Sequence, residues 1–526
     1  MDWNLLYFMI LKHYLSMLTC LIAMEASGQM NLEWAQSIGG SNTDFATDVI
    51  VDSNEDIVIV GKTSSEDFDF ESNLGDSDGI AIKLDATGTV LWMYHYGGSG
   101  LDRFEDIEET FDGGYVVVGS TSSLDGDVVS TNGALDLWVL KLAADGSVQW
   151  SKTYGGSSDD LGRTVHVTDD GGFIVAGDCK SNDGDVTVHH GQSDAWVVKL
   201  NEAGEWMWGM NYGGSGQEFV ADIIQLVDGG FLLLTGTESN DGDVSTNYSE
   251  DEDGEDCWVV RLDPTGELLW EQNYGGTGEE SAESLLQIDD ENFLVCGRTT
   301  SSDYDIEDAN GSNDGWIFQV NDSGNLVWSN SVGGSDWDRV TALIHDPEGG
   351  FWFAANSISD DGDVPQNLGG HDVWIGKLSV TGEILWSETF GGTEDDRISS
   401  MDVLNDGSLV FSGYSTSHDM DVPSNSGGYD MWMVRINGST THSIERPAVQ
   451  NPIALFPNPT RDELHALNLP VGVTGVSLFS AGGQLMIERS LSGLDALKLD
   501  VSHLQSGLYL LKIQPVGGWQ RVLIQR

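Results

Sequence analysis

Positive charge is scarce in this 526-residue chain: 22 Lys and Arg stand against 86 Asp and Glu, a formal net charge of -64. Such a protein would repel a phosphate backbone, which excludes nucleic acid as a partner and disfavours anionic membrane surfaces on the same ground. Proline is low at 10 residues. The four cysteines, Cys20, Cys179, Cys257 and Cys296, are scattered with no CxxC pair, so they form neither a disulfide framework nor a zinc site. The three beyond the N-terminal segment are expected to fill ordinary strand positions. Sustained helical periodicity is missing, and after the N-terminal segment no stretch approaches 18 uninterrupted apolar residues. No transmembrane segment is therefore expected in the mature chain. The motifs GxSxG, HExxH and GxGxxG are absent as well. Gly61-Lys62-Thr63 imitates the end of a phosphate loop, but Asp56 stands where its first glycine should be. His189-His190 is a lone pair and reads as part of a surface loop.

What the chain does have is glycine, at 66 residues, tryptophan, at 18, and an apolar content of 39%. That is enough surface to bury, which argues against a disordered acidic polymer. Residues 14–24 (YLSMLTCLIAM) form a short apolar run after Lys12, and Ala26-Ser27-Gly28 places small residues where a signal peptidase cuts. Residues 1–28 are therefore expected to be a signal peptide, with cleavage before Gln29.

The dominant signal is self-similarity. A Gly-Gly pair recurs at Gly39, Gly97, Gly155, Gly213, Gly275, Gly333 and Gly391, spaced by 58 residues except for one interval of 62. Each unit reads as four short strands, such as TVHV, GFIVAG, DAWVVKL and EWMWGMNYG, separated by Asp, Asn and Gly turn signals. Four antiparallel strands at a fixed period describe the blade of a β-propeller. One orphan strand, residues 32–38, precedes the first Gly-Gly pair, and the last unit lacks its fourth strand. The two halves complete each other, which predicts an all-β, seven-bladed β-propeller over residues 29–437, closed by its N-terminal strand. Trp recurs on the outer strand (Trp34 to Trp386) and on the third strand (Trp138 to Trp432), with Ile80 at the third-strand place in the first unit. Recurrence in every unit points to packing between blades rather than to a binding surface.

The acid belongs to the repeats: residues 30–437 hold 78 acidic and 14 basic residues, whereas residues 451–526 hold 5 and 6. It concentrates in two loops that up-and-down strand order sends to the same end of every blade. One follows Gly-Gly and carries Asp44, Asp102, Asp160, Glu218, Glu280, Asp338 and Asp396. The other joins strands two and three and carries an Asp-x-Asp pair, among them Asp125/Asp127, Asp183/Asp185, Asp241/Asp243 and Asp361/Asp363. One face of the disc is therefore expected to be a dense carboxylate surface. Three readings stand open for the pairs: caps on backbone amides of the turn, ligands for Ca²⁺, or catalytic carboxylates. Seven near-equivalent copies weigh against catalysis.

Residues 438–450 are polar and read as a linker, followed by a small domain over residues 451–526 with alternating strands and glycine turns, expected to be a β-sandwich. Its Pro457-Asn458-Pro459, Gly482-Gly483-Gln484, Leu504, Gly507-Leu508-Tyr509 and basic C-terminus resemble the C-terminal sorting domain of the type IX secretion system of Bacteroidetes-type bacteria. The resemblance implies export through both membranes to the outer-membrane surface or the medium, with the secretion machinery as the tail's partner. The repeats are similar to Gly-Gly/Trp repeat proteins carried as cargo in such bacteria. LDATGTVLW, at residues 84–92, resembles the repeats of quinoprotein dehydrogenase propellers, without a cofactor-binding constellation beside it. The expectation is a secreted or cell-surface propeller, not an enzyme, that binds an extracellular glycan or protein ligand through its acidic loop face, with Ca²⁺ as the one cofactor to consider. Two alternatives are kept: an extracellular propeller enzyme, oxidoreductase or polysaccharide hydrolase, and a structural surface-layer component.

Overall fold

The computed structural model describes residues 30–70, 73–249, 254–306, 309, 311–438, 454–456, 463–467, 475–480, 485–490, 496–504, 507–514 and 518–524. The expected signal peptide and nearly all of the expected linker lie outside the described residues, as do four consecutive acidic residues of the fourth unit, Glu250, Asp251, Glu252 and Asp253. The chain forms two compact units, residues 1–440 and 441–526.

In the first unit, 28 strands make seven four-stranded sheets, and no helix occurs among the described residues. Blade 1 runs in order Asp44–Val51, Ile57–Thr63, Asp78–Leu84 and Val90–Tyr96, each strand antiparallel to the one before. Blades 2 to 6 repeat that order from Asp102, Asp160, Glu218, Glu280 and Asp338. Blade 7 takes three strands from Asp396–Val403, Leu409–Ser415 and Asp430–Gly438, and its outer strand is Met30–Ile38 from the chain's start. Trp34 pairs with Arg435 and Ile38 with Met431, so the ring is closed by the N-terminal strand as the spacing predicts. Closure leaves no open edge between first and last blade.

The burial pattern explains why the middle strands read as apolar runs rather than alternations. Ile57–Thr63, Tyr115–Thr121 and Asp136–Leu142 are buried at nearly every position, because both faces of a blade meet a neighbour. Val58 and Val60 of blade 1 pack with Tyr115, Val117 and Trp138 of blade 2, while Leu404, Val410 and Met431 of blade 7 pack with Ile57, Ile80 and Ile82 of blade 1. The third-strand Trp residues are at most 1% exposed, and Ile80 fills their place in blade 1. The outer-strand Trp residues lie against the next blade's turn: Trp34 Nε1 donates to the Ala86 carbonyl at 3.2 Å and Trp270 Nε1 to that of Asp322 at 3.0 Å. Gly204 (φ +69°) shows why those turns need glycine, since a Cβ there would meet the Trp150 ring at 2.8 Å. The Trp residues are inter-blade packing, as their recurrence predicts.

Every inner strand carries a β-bulge at the same place, between Ala46 and Asp48 in blade 1 and between Ile398 and Ser400 in blade 7. The extra residue re-aims the strand's side chains along the axis. Inner strands of neighbouring blades are laced by side chains: Asp48 Oδ2 accepts from the Ile107 amide at 3.1 Å, Asp106 from Val165 at 2.7 Å, and Asp402 from Val51 at 2.7 Å.

The second unit places strands Ala454–Phe456, Glu463–Leu467 and Ala496–Asp500 in one sheet and Gly475–Ser480, Leu485–Ser490, Gly507–Gln514 and Gly518–Ile524 in another. Leu464, Val476, Leu478, Leu499 and Leu511 form its core, a small β-sandwich.

Candidate functional site

The two acidic loops of each blade meet at one end of the ring, and their carboxylates are tied to backbone amides. The first Asp of each pair accepts from the residue after Gly-Gly: Asp125 from Ser99, Asp183 from Ser157, Asp241 from Ser215 and Asp361 from Ser335, all at 2.7 Å. The second accepts from the leading glycine: Asp127 from Gly97 at 3.2 Å, Asp185 from Gly155 at 3.1 Å, and Asp243 and Asp363 from Gly213 and Gly333 at 3.3 Å. Blades 1, 5 and 7 repeat this with Asp67/Asp69, Asp303/Asp305 and Asp419/Asp421. Each pair ties its loop to the Gly-Gly connector that leads into the same blade. Among the described residues, no group of three or more His, Cys, Asp or Glu side chains is arranged to hold a metal ion.

The expected dense carboxylate surface is in large part internal. Asp44, Asp102, Asp160, Glu218, Glu280, Asp338 and Asp396 are at most 1% exposed. Asp44 shows the reason: it accepts from the Gly40 amide and the Ser65 hydroxyl at 2.8 Å and from the Thr63 hydroxyl at 2.5 Å. Acid density along the chain measured caps as well as surface.

A further acidic set escaped the sequence reading, although it recurs with the same period. Asp78, Asp136, Asp194, Asp256, Asp314, Asp372 and Asp430 open the third strands, at most 1% exposed. Asp372 Oδ2 accepts from the Leu368 and Gly369 amides, while its Oδ1 has no hydrogen-bond partner. A Cβ on Gly391 would stand 2.4 Å from Asp372 Oδ1 and 2.9 Å from Asp396 Oδ2, so two carboxylates flank one glycine. Burial, with Asp396 and Asp421 nearby, pushes the Asp372 carboxyl up to about 7. The same causes lift Asp78, Asp136 and Asp430 to about 6 and Asp256 to about 8.

The loop tips depart from the repeat. At the centre of Asp-x-Asp, Gly126, Gly184, Gly242 and Gly362 have φ near +68°, but Phe68, Tyr304 and Met420 hold the same left-handed backbone in blades 1, 5 and 7. A side chain there costs roughly 1–2 kcal/mol, and each of the three is more than 60% exposed.

The basic residues divide cleanly. Six of the 14 recur at one third-strand position, where they pair with the acids of the inner hairpin. Lys83 lies 2.7 Å from Asp52, Lys141 2.9 Å from Asp112, Lys199 3.0 Å from Asp170 and Arg261 2.5 Å from Asp228. Lys377 and Arg435 pair with Asp346 and Asp406. Of the eight that remain, Arg163, Arg298, Arg339 and Arg397 line a cavity of about 600 Å³ on the ring axis, to which all seven blades contribute. Its walls include Trp337 from a Gly-Gly loop, Glu255 from a second-to-third-strand loop, and the loop-end residues of the inner strands, so it opens on the loop face.

The funnel's charges are unevenly matched. Arg163 Nη2 lies 2.7 Å from Asp178, and Arg103 Nε 3.0 Å from Glu105. Arg339 pairs with Glu283 but leaves Nε without a partner. Arg298 approaches no carboxylate nearer than Glu279 at 3.9 Å. Arg397 makes no ion pair within 4.0 Å among the described residues. Its Nη2 sits 3.1 Å from His371 Nδ1, its guanidinium carbon 6.0 Å from the centre of the Trp337 ring, and its Nε has no partner. Burial and Glu283 push the Glu255 carboxyl up to about 8, so that this wall carries its proton at neutral pH. Towards the hairpin end the channel turns acidic, with Glu108 lifted to about 8, and Asp222 and Asp402 to about 6, by burial. None of the funnel arginines was singled out from sequence.

Comparison with known proteins places the tail. Residues 454–524 match the secretion system C-terminal sorting domain, which makes this an exported protein, secreted or displayed at the cell surface, and the tail the segment that engages the secretion machinery. No helix among the described residues is long and apolar enough to cross a membrane. The regulatory protein FlaEY of Caulobacter vibrioides is 24% identical over 196 residues, which is 35% of this chain and 20% of that protein, so the chain spans about a fifth of this relative. Among solved structures, the Neurospora crassa Pan2 WD40 domain covers 77% of this chain and 97% of its own at 13% identity and a TM-score of 0.39. Kuenenia stuttgartiensis hydrazine synthase covers 71% and 93% at 12% identity and 0.44. An apocarotenoid oxygenase mutant from Synechocystis covers 66% and 71% at 13% identity and 0.38.

Proposed function

We propose that the protein is an exported ligand-capturing propeller, without catalysis, whose working end is the loop face and whose seat is the axial funnel. The carrying observation is where the repeat is broken. Periodic acids, Trp residues and third-strand cations are consumed by caps, packing and ion pairs. The departures gather at one end: four arginines in the funnel, and Phe68, Tyr304 and Met420 held exposed on left-handed backbone around it. Side chains kept at an energetic cost on a rigid scaffold are those that function retains. The ligand is an extracellular glycan or protein segment whose tip enters the funnel while its body lies on the loop tips. Residues 29–437 on a glycan and protein array test this, with Ser399→Trp to block the funnel and a Phe68→Gly/Tyr304→Gly/Met420→Gly triple variant to strip the tips. Hits lost in both variants support the reading. Hits retained in both move the site elsewhere.

A further inference from the structure

From the same site, and resting on its being the ligand seat, we infer that the funnel takes a ligand presenting a single oxyanion, a carboxylate or a sulfate ester, and that Arg397 is its anchor. Arg397 is the one arginine of the repeat region that makes no ion pair within 4.0 Å among the described residues, and Asp395 acts on it only across His371, whose Nδ1 lies 3.1 Å from Asp395 Oδ1. Arg397 Nη2 reaches His371, the guanidinium carbon lies over the Trp337 ring, and Nε stands buried with nothing to donate to. Arg339 on the adjacent inner strand also has an Nε without a partner, although Glu283 holds its far end. A buried, unspent N–H donor on a guanidinium is costly unless something accepts from it, and planar oxyanions match its fork.

The charge count sets the valence. Glu105, Asp178 and Glu283 answer Arg103, Arg163 and Arg339 in turn. That leaves Arg397, with Asp395 reaching it only across His371, and Arg298, held by Glu279 at 3.9 Å, each partly compensated, which fits one negative charge and disfavours a dianion such as a phosphate monoester. The lining also carries the hydroxyls of Tyr414, Ser281, Thr341 and Ser399, of which the last three donate to Glu283, Ala354 and Ala46 and keep their oxygens to accept from a neutral polar body, and about 600 Å³ holds one or two sugar-sized rings. An acidic saccharide end therefore suits the site.

The test is titration of the propeller, followed by Trp337 fluorescence and calorimetry, with four monoanions: acetate, methyl sulfate, galacturonate and glucuronate. Galactose serves as the neutral control and phosphate as the dianion. Saturable binding of at least one monoanion is expected, weakened about tenfold or more in Arg397→Gln, partly restored in Arg397→Lys, and falling with added salt. Carboxylate and sulfate arms identify which oxyanion is preferred. No saturable response to any of the four up to about 100 mM overturns the inference, as does an unchanged affinity in a folded Arg397→Gln. A ligand from the array that Ser399→Trp abolishes and Arg397→Gln leaves intact would keep the funnel as the seat and sink the oxyanion.

Discussion

Replacing Asp372 by Asn should strengthen the ring in alkaline solution, although it removes a side chain bound to two amides. The asparagine oxygen can accept from Leu368 and Gly369, as Asp372 Oδ2 does, and its amide can turn to Asp396 where Oδ1 now has no partner. The carboxyl is raised in the folded state from 3.8 to about 7 by burial and its acidic neighbours. A group shifted upward contributes stability that is full below its unfolded value and is lost as pH rises through the folded one. Each pH unit between those values removes about 1.4 kcal/mol, so between pH 5 and 8 the wild type loses about 3 kcal/mol at this position and the variant loses none. Urea unfolding of both proteins at pH 5 and pH 8 measures the difference directly. A stability gap that moves by about 3 kcal/mol in the variant's favour is expected. A gap that stays constant, or that widens against the variant at pH 8, would mean that the carboxylate is charged and satisfied, and would refute the account of the blade junctions.

Deleting residues 30–38 removes the strand that pairs with Asp430–Gly438, together with the buried Met30 and Ile38. Two such side chains contribute about 3–6 kcal/mol, so thermal melts should show a large loss, and an unchanged melting temperature would count against closure by this strand. Because Asp125, Asp127 and their equivalents accept from backbone amides, melts in EDTA and in excess Ca²⁺ should coincide; a rise of several degrees with Ca²⁺ would assign ions to the loops. Removing residues 441–526 should leave the propeller folded, as a separate compact unit, but retained inside the cell envelope. Recovery of that truncation at the surface or in the medium would contradict the sorting role of the tail.

The parts of this protein that were legible in the sequence are those that recur. Gly-Gly at a spacing of 58, Trp on two strands and an orphan N-terminal strand are enough for the blade count and the closure, because each blade solves the same packing problem. The Asp-x-Asp pairs recur for the same reason, and turn caps were one of the three readings left open for them. Burial was not legible: Asp44 and Asp67 look alike in the text, yet the first is sealed under Gly-Gly and the second lies on the loop. The third-strand acids, Asp78 to Asp430, had the period but hid at the head of apolar strands. The funnel was invisible for the opposite reason. Arg163, Arg298, Arg339 and Arg397 come from four blades with no common motif, and only the ring brings them to one axis. A usable signal existed: once the six recurrent third-strand cations are set aside, the remaining arginines fall on inner and second strands.

A chain of net charge -64 holds in the funnel on its loop face the one repeat arginine without an ion pair among the described residues. Anomalous scattering from crystals of the propeller soaked in bromide tests this most directly. The principal bromide site is expected beside Arg397 and Arg339 within the funnel. An empty funnel, with bromide only on the outer rim, would contradict it.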